Sequence, residues 1–321
     1  MVSPIPVISK TALHLETELV TDWSRNVNST AQLAAGVRLL TAQVHNNNGE
    51  WHLCHTSCSL LDVGKLSNWL AEIKSWMDNN PYEVVTLLLV NSDNAPASAL
   101  DSEFKAANLN SFAYTPPSTT TAMNTWPTLQ DMITNNTRLV TFVASLPSSS
   151  NTIAPYLLDE FTFVFENNYD VTSLSNFTCT PDRPPAVQGN TRMAVSSGRL
   201  PLMNHFLDTQ QAFFQTPDYG NITTTNAQSG ATGNLGGAAA NCTSVYGQAP
   251  TYLLVDFFDQ GSAINTVDAL NGITPVGRAG VPNVATQSRS SGGIGRRDAL
   301  NGALIKSSLA MVVVVGLMAQ L

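Results

Sequence analysis

Hydrophobic and polar positions alternate in two periods along this chain. Val37–His45 is a mostly apolar run that reads as a strand, and Trp51–His55 continues extended after the turn Asn46–Gly49. Leu66, Trp69, Leu70, Ile73, Trp76 and Met77 then recur at spacings of three and four, which predicts an amphipathic helix stopped by Asn79, Asn80 and Pro81. Val84–Val90 is nearly continuous apolar sequence, as expected of a strand covered on both faces in a parallel sheet. A helix near Thr128–Thr134 and strands at Leu139–Ala144 and Phe161–Phe165 carry the alternation on. Asp170–Gln248, rich in Ser, Thr, Asn and Gly, reads as a surface excursion broken by a helix around Leu202–Phe214. Thr251–Phe258 returns to a buried strand, Ala263–Leu270 to a helix, and a linker follows Arg278. Strands alternating with helices predict an α/β fold.

In barrels of parallel strands the chemistry gathers at the strands' carboxyl ends, so polar residues that close apolar strands are the informative ones. Here they are Gln43, His55, Asn91 and Asp256. On ideal strands Leu39, Thr41 and Gln43 share one face, as do Trp51, Leu53 and His55, and Tyr252, Leu254 and Asp256. Inward-pointing faces would make these polar groups converge. His55 with Asp256 suits general acid–base work, because imidazole titrates near neutrality and a carboxylate can orient it. The plainer alternatives are a hydrogen-bonded structural histidine and a capping aspartate. His52, Cys54, His55 and Cys58 also spell a zinc cluster, but a second ligand pair is missing and an extended segment points His52 and His55 to opposite faces. No metal site is expected. His45 and His205 read as surface or packing residues, and His14 lies in the leader. A glycosidase needs two strand-end carboxylates, and Asp256 has only Glu166 as an obvious companion.

Composition narrows the partners. A chain of 321 residues, 43% hydrophobic, accommodates one large α/β domain and a tail. A net charge of -8 with 15 Lys+Arg leaves no basic stripe for a phosphate backbone, which excludes nucleic acid as an expected partner. Asn-X-Ser/Thr acceptors at Asn28, Asn135, Asn176, Asn221 and Asn241 are glycosylation candidates in a secreted chain. Four cysteines suggest disulfides, Cys54 with Cys58 and Cys179 with Cys242; four free buried thiols are the alternative. Near the end, small residues with attachment candidates Ser290, Ser291 and Gly292 precede a spacer with Arg296 and Arg297 and the apolar run Leu309–Leu321. That run is short for a membrane span and matches a glycosylphosphatidylinositol (GPI) attachment signal, implying the cell surface. Met1–Leu19 lacks signal-peptide features, so the natural product is expected to begin further upstream.

Three blocks resemble one family: GVRLLTAQVHNNNGEWHLCHTSCSLLD at Gly36–Asp62, EIKSWMDNNPYEVVTLLLVNSDN at Glu72–Asn94, and YLLVDFFDQGSAINTVDALNGI at Tyr252–Ile273. The chain is similar to the PLC-like phosphodiesterases, the phosphatidylinositol-specific phospholipase C X-domain-containing proteins. That resemblance implies a distorted TIM-like (β/α) barrel over residues 26–278, after an atypical leader, 1–25. A linker with the GPI attachment region, 279–302, and a hydrophobic signal, 303–321, follow. In the family one histidine takes a proton from the inositol 2-hydroxyl and a second protonates the leaving oxygen. His55 matches the second, and Asp256 matches the aspartate that partners the first. Gln43 stands where bacterial members carry arginine, and Thr41 and Gln43 replace the acidic ligands of calcium-dependent members. The resemblance therefore implies a calcium-independent enzyme without cofactors, with Gln43 and Asn91 as substrate-binding candidates. The first histidine falls upstream of the matched blocks, so the barrel is expected to lack its first strand and the chain to be weakly active or inactive, with a full-length form that is a phosphodiesterase. The implied partner is a phosphoinositide or other phosphodiester lipid head group, met by a monomer on a GPI-anchored surface. The alternative is a non-catalytic surface barrel that binds a lipid head group or wall component.

Overall fold

A computed structural model of the chain describes residues 7–11, 28–54, 57–146, 150–210, 215–275 and 277–280. Its strands, in chain order, are β1 (Val7–Thr11), β2 (Leu39–Asn47), β3 (Glu50–Cys54), β4 (Asp62–Lys65), β5 (Val85–Asn91), β6 (Leu139–Ala144) and β7 (Leu157–Asp159). They continue with β8 (Val164–Asn167), β9 (Pro181–Arg183), β10 (Leu200–Asn204), β11 (Asp208–Gln210), β12 (Gln215–Pro217) and β13 (Tyr252–Val255). The helices are α1 (Ser29–Ala34), α2 (Leu66–Asn79), α3 (Ala97–Ala106), α4 (Leu129–Thr134), α5 (Glu160–Phe163), α6 (Thr191–Ser196), α7 (Ile222–Thr225), α8 (Leu235–Tyr246) and α9 (Ala263–Asn271).

Side-by-side order in the main sheet is β7-β6-β5-β2-β1-β13-β10-β8-β9, and all but the last of these strands are parallel. The eight parallel strands thus follow the chain in cyclic order, the last beside the first. Consecutive β7 and β8 are not hydrogen-bonded, so the sheet is open between them rather than a closed barrel. The fold is α/β, and its first strand is present. Val7–Thr11 pairs with β13, Val7 opposite Tyr252, and with β2, Ser9 opposite Leu39. This corrects the expectation of a missing strand; five residues outside any longer apolar run leave no periodic signal.

Two apolar layers show which way the strands face. Leu39, Leu88, Val140, Phe142, Leu158, Val164, Leu202, Tyr252 and Leu254 meet in one cluster, into which Trp126 inserts against Phe142 and Phe163. Their alternate neighbours Leu40, Leu87, Leu89, Val143, Phe165, Met203 and Leu253 pack in a second cluster with the helices. α2 buries Leu66, Leu70, Ile73 and Met77 there, each side chain contributing about 1.5–3 kcal/mol. The β2–β3 hairpin turns on Asn48 and Gly49, both at positive φ, the Asn-Gly signature of a two-residue turn. α4 starts at Thr128, whose hydroxyl accepts from Asp131 N while the Asp131 carboxylate accepts from Thr128 N.

The long polar region differs from its reading as excursion. Leu200–Asn204 is a fully buried strand between β8 and β13, where the spacing of Leu202, Met203 and Phe206 predicts a helix. A strand buried on both faces has no period of its own, so three apolar residues can mimic a helical stripe. Phe161–Phe165 likewise divides into a turn of helix, α5, and the start of β8. All described residues belong to one compact unit, Met1–Val284.

Candidate active site

Parity along the strands sorts the polar residues at the carboxyl ends. Because Leu39 and Leu254 belong to the inner layer, Thr41, Gln43 and His45 on β2 and Asp256 after β13 lie on the inner side. Gln43 is half-buried opposite Val90 of β5. Asp256 is buried, and the chain turns sharply after it, with Phe257 at φ 44°. A bulky residue in the left-handed region is costly and needs a clamp. Buried Asn226 is that clamp: its amide donates to the carbonyls of Asp256 at 2.8 Å, Phe257 at 3.1 Å and Gln260 at 3.1 Å. Nothing in the sequence flagged Asn226, which lies 30 residues before the loop it holds.

Asn91 does not join the group. It pairs with Val44, which faces the helices, and its side chain closes its own loop. Its Oδ1 accepts from Ala95 N at 2.8 Å and its Nδ2 donates to Ala95 O at 3.0 Å, so the amide staples the turn after β5 and is not free for a substrate. His55 lies outside the described residues, as do His14, Ser290, Ser291 and Gly292. The residue before His55, Cys54, is buried and bonded to Cys58, their Cα atoms 4.8 Å apart. Cys179 and Cys242 form the second disulfide, Cα atoms 5.2 Å apart, joining the segment after β8 to α8. Both expected pairings are present. The zinc reading falls with them, since the sulfurs of Cys54 and Cys58, though close to Asp62, are bonded to each other. Of the glycosylation candidates, Asn28, Asn135, Asn176 and Asn241 are exposed; Asn221 is half-buried and donates to Asp218 at 2.8 Å.

Glu166 is not available as a second catalytic carboxylate. Arg183 of β9 lies opposite it, donating from Nε at 3.1 Å and forming an ion pair through Nη2, and Asn204 Nδ2 donates to the same oxygen at 3.2 Å. Fully buried Glu160 sits beside them; burial, then the charge of Glu166, raises its carboxyl well above the ordinary range. The guanidinium of Arg183 lies 4.3 Å from the ring centre of Tyr169 and keeps solvent access. A lone Glu in the apolar run FVFEN was the available hint; its partner, 17 residues on, was not legible.

Three described histidines are held in different ways. His205 is fully buried, stacks on Phe177 at 4.0 Å and shares Nε2 between the carbonyls of Thr225 and Gly233, each at 3.1 Å. Burial lowers its pKa to about 4, so it is neutral. His52 bonds Asp62 through Nδ1 at 2.8 Å, while its Nε2, 3.6 Å from a Glu50 oxygen, has no hydrogen-bond partner. His45, opposite His52 in the hairpin, places Nδ1 3.2 Å from Asp93 Oδ1, and the other oxygen of Asp93 accepts from Asn46 N at 2.8 Å.

A family model, PI-PLC X, matches residues 18–271 of the chain. The PI-PLC X domain-containing protein 1 of Arthroderma benhamiae is 34% identical over 252 residues, covering 78% of this chain and 79% of that protein. An uncharacterized secreted protein of the same fungus is 32% identical over 263 residues, 79% of this chain and 58% of its own length. Among solved structures, the phosphatidylinositol-specific phospholipase C of Listeria monocytogenes aligns with a TM-score of 0.48 and 18% identity over 75% of this chain and 81% of its own.

Proposed function

The chain belongs to the PI-PLC X family, and from that premise we propose that it is an extracellular phosphodiesterase acting on a phosphoinositide-type head group. The observation that carries the reading is the family match across residues 18–271, which spans the inner-face polar residues at the carboxyl ends of β2 and β13. In this reading the ring hydroxyl next to the phosphate attacks phosphorus, the lipid alcohol leaves, and the product is a cyclic phosphodiester. His55 protonates the leaving oxygen. Asp256, buried before a turn whose carbonyls Asn226 holds, supplies the carboxylate that favours a cationic imidazole. Gln43 contributes a neutral hydrogen-bonding wall where a cation would otherwise meet the phosphate. Side chains alone carry the chemistry, with no calcium.

Two disulfides and a family relative named as secreted favour a place outside the cell. We place the chain on the membrane surface through a GPI anchor at Ser290, Ser291 or Gly292, as a glycosylated monomer. Incubation with phosphatidylinositol vesicles tests the reading: water-soluble phosphate is expected to appear at the same rate with and without EDTA, and Asp256→Asn lowers that rate about 100-fold or more. Vesicle binding without any release favours the non-catalytic surface protein instead.

A further inference from the structure

α1 packs against α2, and between them lies an open pocket of about 350 Å³ lined by Asn28, Thr30, Glu72, Ser75, Trp76 and Asn79. That volume falls within the roughly 300–1,000 Å³ of small-ligand sites. Its place separates it from the candidate active site. Trp76 and Asn79 belong to the last turn of α2, which leads to the amino end of β5. Arg38, whose guanidinium lies 5.2 Å from the ring centre of Trp76, stands just before β2. The wall chemistry narrows the occupant. Among the described residues that line the pocket Glu72 alone is charged, so a phosphate or carboxylate is repelled. Half-buried Trp76 offers apolar ring surface, and Glu72, Ser75 and Asn79 are exposed around it. Asn79 donates its Nδ2 to the Ser75 carbonyl at 2.8 Å, which leaves Oδ1 as an acceptor. An uncharged ring with an apolar C–H face and a rim of hydroxyls, a sugar, is complementary to such walls.

We infer that this pocket seats the first N-acetylglucosamine of a glycan attached to Asn28. Asn28 opens the acceptor sequence Asn28-Ser29-Thr30 and itself lines the pocket. Its side chain is already oriented. Oδ1 accepts from Ala31 N at 2.9 Å and from the Thr30 hydroxyl at 2.9 Å, which directs Nδ2, the attachment atom, away from those donors. Buried Ser29 anchors the segment on α2, its Oγ accepting from Trp69 Nε1 at 2.8 Å. The other acceptors lack this combination. Asn221 commits Nδ2 to Asp218 at 2.8 Å and Asn241 commits it to Cys179 Sγ at 3.3 Å, while Asn135 and Asn176 do not line the pocket.

Attachment is a group transfer performed on the chain, and its co-reactant is a lipid-pyrophosphate-linked oligosaccharide of the secretory pathway. The anomeric carbon bonds to Nδ2 as its bond to the pyrophosphate oxygen breaks with the electron pair, and the amide gives up one proton. Formation of α1 against α2 then carries the sugar over Trp76, where ring surface replaces water on its apolar face. Contacts made in the native chain and absent from the unfolded one favour the fold.

This inference rests on the extracellular reading and is independent of the phosphodiesterase chemistry. The full chain is secreted from yeast behind a host signal peptide, and endoglycosidase H trims its glycans to one N-acetylglucosamine at each occupied site. Peptide mass spectrometry is expected to find Asn28 occupied. Thr30→Ala removes the acceptor signal while Asn28 keeps its bond to Ala31 N, and it lowers the Tm of the trimmed protein by about 2–4 °C; Thr30→Ser, which keeps the signal, retains the wild-type Tm. In a Trp76→Ala background the Thr30→Ala loss shrinks by about half or more. Because Trp76 also packs on the core, the exposed pair Glu72→Ala with Ser75→Ala serves as a second background with the same expectation. An unoccupied Asn28 on a chain whose other acceptors carry sugar overturns the seat and leaves the extracellular reading intact. So does an occupied Asn28 whose loss leaves Tm unchanged, or a loss undiminished in both backgrounds. No sugar at any acceptor sinks the seat and the glycosylated surface protein together.

Discussion

Two regions of this molecule bury ionisable side chains near the carboxyl ends of parallel strands, and they do so to opposite effect. Around β8 and β10, Arg183 and Asn204 meet Glu166, burial raises the carboxyl of Glu160 well above its ordinary range, and His205 is neutral between Phe177 and two carbonyls. Around the β2–β3 hairpin and the end of β5, His45 and His52 each bond a carboxylate through Nδ1, Asp93 and Asp62, and the Nε2 of each has no hydrogen-bond partner. Burial is common to both, so burial does not mark chemistry. What separates them is the carboxylate that each hairpin histidine bonds, where His205 bonds two carbonyls.

The sharpest way to break this contrast is to remove a partner in the β8–β10 region. Glu166→Gln leaves the guanidinium of Arg183 without its anion, and chemical denaturation should show a loss of about 3 kcal/mol. That is the low end for a broken buried pair, because Arg183 keeps solvent access. An unchanged midpoint would show that the cluster is not structural. Acid gives the next effect. Burial depresses His205 from 6.5 to about 4, so the unfolded chain binds a proton that the native chain refuses across that window. The His205 contribution is full above pH 6.5 and is lost as pH falls towards 4, by up to about 3 kcal/mol. Glu160 acts in the opposite sense, favouring the fold below its ordinary 4.5 and losing that favour as pH rises towards its raised value. The difference between wild type and His205→Gln across the window therefore isolates His205, and parallel pH profiles would contradict its role.

Smaller effects follow at the clamp and in the hairpin. Asn226→Ala removes the donor from three carbonyls that hold the strained turn after Asp256, and is expected to cost about 1–2 kcal/mol by thermal or chemical unfolding, with several-fold slower turnover. An unaltered rate would detach the clamp from function. His45→Gln should change stability by less than about 1 kcal/mol, since it removes one hydrogen bond and one unsatisfied acceptor together. A large destabilisation there would move His45 to the structural class occupied by His205.

Long periodic segments made much of this fold legible. The six apolar positions of α2, the run leading into β5 and the Asn-Gly turn of the β2–β3 hairpin each carry a local signal strong enough to stand alone. β1, β7 and β10 carry none, being three to five residues long, and they are recognised only by their pairing. The candidate site divides the same way. Strand parity placed Gln43 and Asp256 on the inner side, but the same argument could not see that Asn91 bonds its own loop. The pairs that give each region its character join residues far apart in the chain. His45 and Asp93 are 48 apart, and Asn204 and Glu166 are 38 apart, so they depend on tertiary register rather than on any motif.

Phosphorus NMR of the products formed from phosphatidylinositol vesicles tests the central claim most directly. A chain that cleaves by intramolecular attack releases a five-membered cyclic inositol phosphodiester as its first product, and Asp256→Asn suppresses that signal. Direct appearance of the phosphate monoester, or intact lipid after prolonged incubation with folded protein, would contradict the account.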